Sequence, residues 1–152
     1  MEIYTDGATS NNGKDGAIGG WAYVIINDKK EIICSERGCI ENATNNICEL
    51  TAIIKACEMA QKFWGCHHIY SDSAYCINCY KQKWYRKWQQ NGWINSNKKP
   101  VANQELWEKL IPFFENPLFN FEKVEGHSLK ENGHAYWNNY VDKLAVAAKE
   151  MN

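Results

Sequence analysis

The chain has 152 residues, 45% of them hydrophobic and 23% charged, with three prolines. That length suits one domain with a real core, and that composition excludes a disordered or fibrous chain. The net charge of −1 does not by itself announce a polyanion binder.

Taken in chain order, residues 2–6 read as a short strand that ends on Asp6, and residues 7–16 carry turn chemistry. Residues 18–27 are rich in β-branched and aromatic side chains, Asn27 to Lys30 make a turn, and residues 31–38 return as a third strand. These three strands form an antiparallel meander. The period then changes. Ile47, Leu50, Ile54 and Cys57 recur at helical spacing through residues 45–63, with Thr44 as N-cap. Residues 68–72 form a fourth strand, which again ends on an aspartate, Asp72. Helices follow at about 74–82 and 84–90, the second stopped by Gly92. Residues 103–115 read as another helix, in which Pro112 predicts an early end or a kink. Residues 118–124 alternate as a fifth strand, and a last helix runs from about 136 to 150. The order is β-β-β-α-β-α-α-α-β-α, an α/β fold with a five-stranded mixed sheet, strands one to three antiparallel, flanked by helices.

Seven cysteines, an odd number in a chain this long, argue against a secreted disulfide framework. Cys76-x-x-Cys79 is the one close pair with metal-like spacing, and Cys66-His67-His68 is its only candidate partner; buried or half-buried free thiols are the expectation. The first residues show no basic stretch followed by an apolar run, and no apolar run approaches the ~20 residues that span a bilayer, so a cytoplasmic protein without membrane association is expected.

The charge is unevenly distributed. Residues 73–104 contain no Asp or Glu yet hold Lys81, Lys83, Arg86, Lys87, Lys98 and Lys99, interleaved with Trp84, Tyr85, Trp88 and Trp93. A segment of +6 on a body of −7 suits a polyanion bound at one face. The aromatics can pack on sugars or simply anchor the segment.

Four carboxylates stand out. Asp6 and Asp72 close two strands that a meander and a crossover helix can bring side by side. Glu49 lies early in the first helix, beside Leu50 of its apolar stripe, and Asp142 lies in the last helix. Clustered buried carboxylates need cations, and hard divalent ions with oxygen ligands supply them. Spacing alone makes this a possible metal site, since an Asp at a strand end is usually a turn former and a Glu in a helix usually faces solvent.

The stretches Tyr4-Thr5-Asp6-Gly7, Thr44 to Leu50, Ser71-Asp72-Ser73, Trp88 to Trp93 followed by Lys98 to Val101 and Asn103, Val124 to Ser128, and Asn138 to Ala145 resemble, in order and with roughly the same spacing, those of ribonuclease H of type 1. The resemblance spans nearly the whole chain. It implies one ribonuclease H domain over residues 1–152, with a ribonuclease H-like fold and a basic helical protrusion at about 81–100. It implies an endoribonuclease that cleaves the RNA strand of RNA–DNA hybrids, leaving 5′-phosphate and 3′-hydroxyl ends. The alternatives are a catalytically inactive hybrid-binding module and a DNA nuclease of the same fold. Asp6, Glu49, Asp72 and Asp142 would ligate Mg²⁺ or Mn²⁺, two ions per active site with substrate, and His127 would assist proton transfer or product release. Asn45 and Asn46 would approach the minor groove, where only RNA offers 2′-hydroxyls. Thr44 and Asn103 would form a pocket for a DNA phosphate. Asn11 or Asn12 would contact substrate from the first loop, and Trp84, Lys87, Trp88, Lys98, Lys99 and Asn138 complete the implied substrate-binding set. A monomer is expected. The chain departs from the family pattern in its longer first loop, in a longer His127–Asn138 stretch with an extra His134, in Ala74 where a glutamine is common, and in Gln89-Gln90-Asn91 where a basic run is common.

Overall fold

The structure is a computed structural model that describes residues 1–10, 16–126 and 133–151. Asn11, Asn12 and His127 lie outside the described residues. The elements are β1 (Glu2–Ser10), β2 (Ile18–Ile26), β3 (Ile32–Glu41), α1 (Asn45–Ala60), β4 (His67–Ser71), α2 (Ala74–Gln82), α3 (Trp84–Asn91), α4 (Gln104–Phe114), β5 (Phe119–Lys123) and α5 (Gly133–Lys149). They follow the predicted order. The sheet runs β3-β2-β1-β4-β5, with β1–β2 and β2–β3 antiparallel and β1–β4 and β4–β5 parallel.

Side chains on a strand alternate between faces, and here both faces are covered. On one face Ile3, Tyr23, Ile25 and Ile69 pack with Leu50 and Ile53 of α1 and with Trp107 of α4. On the other, Tyr4, Ala22, Val24 and Ile26 pack under Trp137, Val141 and Ala145 of α5. That is why Ala22 to Ile26 is a continuous buried run without the polar alternation of a one-sided sheet.

Boundaries depart from the sequence reading where pairing overrides composition. β1 continues past Asp6 to Ser10 because Gly7, Ala8, Thr9 and Ser10 pair with Trp21, Gly20, Gly19 and Ile18. β3 extends likewise to Glu41, opposite Ile18. α1 starts as predicted, with the Thr44 hydroxyl accepting from the Ile47 N–H at 3.2 Å, and ends three residues early at Ala60. α4 runs through Pro112 to Phe114. A proline that close to the end costs one backbone hydrogen bond, and buried Leu110 and Phe114 keep the last turn docked.

Candidate active site

The β1–β4 ladder sets the site. Glu2, Ile3 and Tyr4 pair with His68, Ile69 and Tyr70. Asp6 and Asp72 each lie two residues beyond the Tyr4–Tyr70 pair, so parallel register puts the two carboxylates side by side on one face. Their neighbours hold them there. The Thr5 hydroxyl donates to the Tyr70 carbonyl at 3.4 Å. The Ser71 hydroxyl accepts from the Ser73 N–H at 3.1 Å, and the Ser73 hydroxyl caps α2 by accepting from the Cys76 N–H at 3.1 Å. The serines on either side of Asp72 therefore shape the turn that presents it.

Glu49 reaches the same point from α1. The Gly7 N–H donates to Glu49 Oε1 at 3.2 Å. A Cβ on Gly7 would lie 2.6 Å from Cys48 Cβ and 2.7 Å from the Glu49 nitrogen, so only glycine lets α1 approach β1 this closely. Gly126, after β5, backs onto the third carboxylate: a Cβ there would stand 2.9 Å from Asp72 Oδ2.

Among the described residues, Asp6, Glu49 and Asp72 are the one group of three that could hold a metal, with ligand atoms within 4.8 Å of one another. Asp6 is 3% exposed and Glu49 9%. Burial, then the charges of Glu49 and Asp72, raise the pKa of Asp6 far above the carboxylate range. Burial also raises Glu49; its contacts with Asp6 and the Gly7 N–H oppose the rise, and the charges of Asp72 and Asp142 add to it. Half-buried Asp142, on α5, joins the cluster by hydrogen bonding to Asp6. Glu49 Oε2 is sealed from solvent without a hydrogen-bond partner. A buried oxygen without a partner on Glu49, beside the raised Asp6 carboxyl, in an all-oxygen donor set fits a hard divalent ion.

The cysteines assemble nothing comparable. Cys48, Cys57, Cys76 and Cys79 are buried, Cys34 and Cys39 half-buried and Cys66 exposed, all as free thiols. Burial pushes the Cys79 thiol up to about 12, and among the described residues no cysteine belongs to a group of three that could hold a metal.

The remaining predicted residues fall around this centre. Asn45 and Asn46 are exposed at the start of α1, where Asn45 Oδ1 accepts from the Thr9 hydroxyl at 2.5 Å. Thr44 is half-buried and occupied as the cap. Asn103 enters α4 in a left-handed conformation, φ 64°, and lines a surface cavity of about 670 Å³ with Ile47 and Gln104. Asn138 is 2% exposed; its Nδ2 donates to the Glu125 carbonyl at 3.5 Å and its Oδ1 is buried without a partner.

The basic segment runs from the end of α2 through α3 and the loop after it. Trp84, Lys87 and Trp88 line a groove of about 410 Å³ with Asn91, Ile94 and Asn95. Trp88 packs on Trp107 of α4 at 5.7 Å and on Trp93 at 5.8 Å, so it anchors the segment to the body. Lys98 and Lys99 are exposed in a turn closed by the Lys98 N–H to Asn95 carbonyl bond at 3.0 Å. Two of the six cations are spent within the fold: Lys81 pairs with Glu122 at 2.9 Å and Arg86 with Glu115 at 3.2 Å. The sequence did not reveal these partners, which lie 41 and 29 residues away. Gly7 and Gly126 were also missed as working parts of the site, although both sit inside motifs the sequence singled out.

The RNase H family model matches residues 1–150 of this chain. A ribonuclease H of Thermoanaerobacter sp. (strain X514) is 42% identical over 155 aligned residues, covering 100% of this chain and 91% of that protein. A ribonuclease H of Clostridium botulinum (strain Hall) is 41% identical, covering 97% of this chain and 94% of that protein. Among solved structures, the PFV RNase H domain superposes with a TM-score of 0.79 at 23% identity, covering 98% of this chain and 93% of that one. LC11-RNase H1 in complex with an RNA/DNA hybrid superposes with a TM-score of 0.65 at 21% identity, covering 98% and 96%. Both structural likenesses carry the fold.

Proposed function

The chain belongs to the ribonuclease H family, and from that premise we propose that it is an endonuclease hydrolysing the RNA strand of RNA–DNA hybrids to 5′-phosphate and 3′-hydroxyl ends. The observation that carries the reading is the buried cluster itself: three carboxylates from β1, α1 and the β4–α2 turn converge within 4.8 Å, with Glu49 Oε2 left unpartnered. Asp6, Glu49, Asp72 and Asp142 would hold Mg²⁺ or Mn²⁺, two ions with substrate. Bound there, such ions activate water and offset charge on a phosphodiester under attack.

The chain's own groups do the rest. The Gly7 N–H fixes one Glu49 oxygen, and the other is buried without a partner. Asn45 and Asn46 stand exposed beside Glu49, where amides can meet 2′-hydroxyls in the minor groove; that contact would select RNA at the cut strand. Asn103 in its cavity and the exposed Lys87, Lys98 and Lys99 would track the phosphates of the DNA strand. His127, directly after Gly126, would move the proton that accompanies cleavage or help release product.

The test is a substrate panel: an end-labelled RNA–DNA hybrid, double-stranded RNA and double-stranded DNA, each with Mg²⁺. Cleavage of the RNA strand of the hybrid alone, with 5′-phosphate products, is expected. Cutting of duplex DNA would replace the reading with that of a DNA nuclease, and binding of the hybrid without cleavage would replace it with that of an inactive module.

A further inference from the structure

We propose that His134 is a positioning residue for the metal centre: packed over the stacked rings of Tyr4 and Tyr70, its imidazole sets α5, and with it Asp142, in register against β1, which carries Asp6, and β4, which leads into Asp72. The inference rests on the metal-centre reading above and deepens it.

The three elements that bring aspartates to the site meet a second time, one step before it. Tyr4 lies two residues before Asp6 on β1, and Tyr70, on β4, lies two residues before Asp72, which follows the end of that strand. Alternation puts Tyr4 on the same face as Asp6. The two tyrosines are direct ladder partners, with rings stacked at 4.9 Å and 21°. His134, at the start of α5, covers both: its ring centroid is 4.6 Å from that of Tyr70 and 5.8 Å from that of Tyr4. Its Nδ1 lies 2.5 Å from the Tyr4 hydroxyl.

This contact is tied into the body. The Tyr4 hydroxyl donates to Glu2 Oε2 at 3.3 Å, and Glu2 forms an ion pair with Lys30. With Nδ1 protonated, the chain of donors runs from His134 through Tyr4 to Glu2 without an unmet group. Tyr4 is 1% exposed, so its hydroxyl has little water to exchange partners with. One turn further along α5, Trp137 packs on Tyr4 at 6.5 Å. Asp142 follows His134 by eight residues, about 12 Å along a rigid helix. A clamp at the start of that helix therefore limits its sliding and rotation where Asp142 meets Asp6.

A residue that merely stabilised the end of α5 would lower the unfolding midpoint and leave metal affinity alone. The experiment measures Mn²⁺ binding to the full chain without substrate, by the electron paramagnetic resonance of free Mn²⁺, alongside the midpoint in EDTA and the KM for hybrid. For His134→Ala the expected result is a Mn²⁺ dissociation constant about tenfold weaker, the scale on which orienting partners of ligands act, with KM for hybrid within about twofold. Tyr4→Phe keeps the ring stack and removes the hydroxyl, so it should weaken Mn²⁺ in the same direction. The double variant should be no weaker than His134→Ala alone, because both changes remove one interaction. Unchanged Mn²⁺ affinity in either single variant, or additive losses in the double, would overturn the proposal. Wild-type protein that bound no Mn²⁺ would instead overturn the metal-centre reading beneath it.

Discussion

Replacing Asp6 by asparagine should abolish cleavage and, in metal-free buffer, make the protein more stable. Burial first, and then the charges of Glu49 and Asp72, raise the pKa of Asp6 in the folded state. Across the window between its ordinary value and the raised one, folded Asp6 keeps a proton that the unfolded chain has released. The folded state then binds more protons than the unfolded, so stability falls as pH rises through that window. Holding a carboxyl of ordinary pKa ~3.9 protonated at pH 7 costs about 4 kcal/mol, from ~1.4 kcal/mol per pH unit over roughly three units. Relaxation and water entry reduce this, and a gain of about 2 kcal/mol for Asp6→Asn at pH 7 is expected, or roughly 4–8 °C in midpoint for a chain this size. The assay is urea unfolding followed by tryptophan fluorescence in EDTA at pH 5, 7 and 8, read as the difference between variant and wild type. That difference should be small at pH 5 and grow toward pH 8. Saturating Mg²⁺ should raise wild-type stability far more than that of the variant, because the cation takes the place of the proton. A variant less stable than wild type at pH 8 in EDTA, or a gain that shrinks as pH rises, would refute the reasoning.

Three further outcomes follow from the geometry. Gly126→Ala places a methyl 2.9 Å from Asp72 Oδ2; kcat should fall by about 10- to 100-fold while the unfolding midpoint and the KM for hybrid change little, since a small displacement of a reacting group has that effect on rate. The KM for hybrid should rise steeply with salt, and Lys87→Ala should reduce the slope of log KM against log salt by about one phosphate contact. Arg86→Ala should change that slope much less, because its guanidinium is paired with Glu115. Finally, a zinc-selective chelator should leave activity intact where EDTA removes it, since the cysteines form no site among the described residues.

Element order was readable because each element carries a clear period. The α1 stripe of Ile47, Leu50, Ile54 and Cys57 and the alternation through Phe119 and Phe121 both survive in the fold, as does Thr44 as a cap. The end of β1 was not readable. Gly7-Ala8-Thr9-Ser10 has the composition of a turn and becomes strand only because β2 pairs with it residue by residue. For the site, spacing suggested two strand-end aspartates, but only the packed fold brings Asp6, Glu49 and Asp72 within 4.8 Å of one another and sets Glu49 against Gly7. The ion pairs that consume Lys81 and Arg86, and the Tyr4–Tyr70–His134 cluster, join residues 29 to 130 positions apart and leave no local signal. Asn11, Asn12 and His127 fall outside the described residues, so their roles rest on the sequence resemblance.

The claim that the four carboxylates form a divalent-metal centre for RNA cleavage is tested most directly by one titration. RNA-strand cleavage of a labelled hybrid is followed from EDTA through increasing Mg²⁺, for wild type and for Asp72→Asn. Wild type should be silent in EDTA and rise to a saturating rate with Mg²⁺, and Asp72→Asn should stay at background at every concentration while remaining folded. Cleavage by wild type in EDTA, or wild-type-like cleavage by Asp72→Asn, would contradict the account.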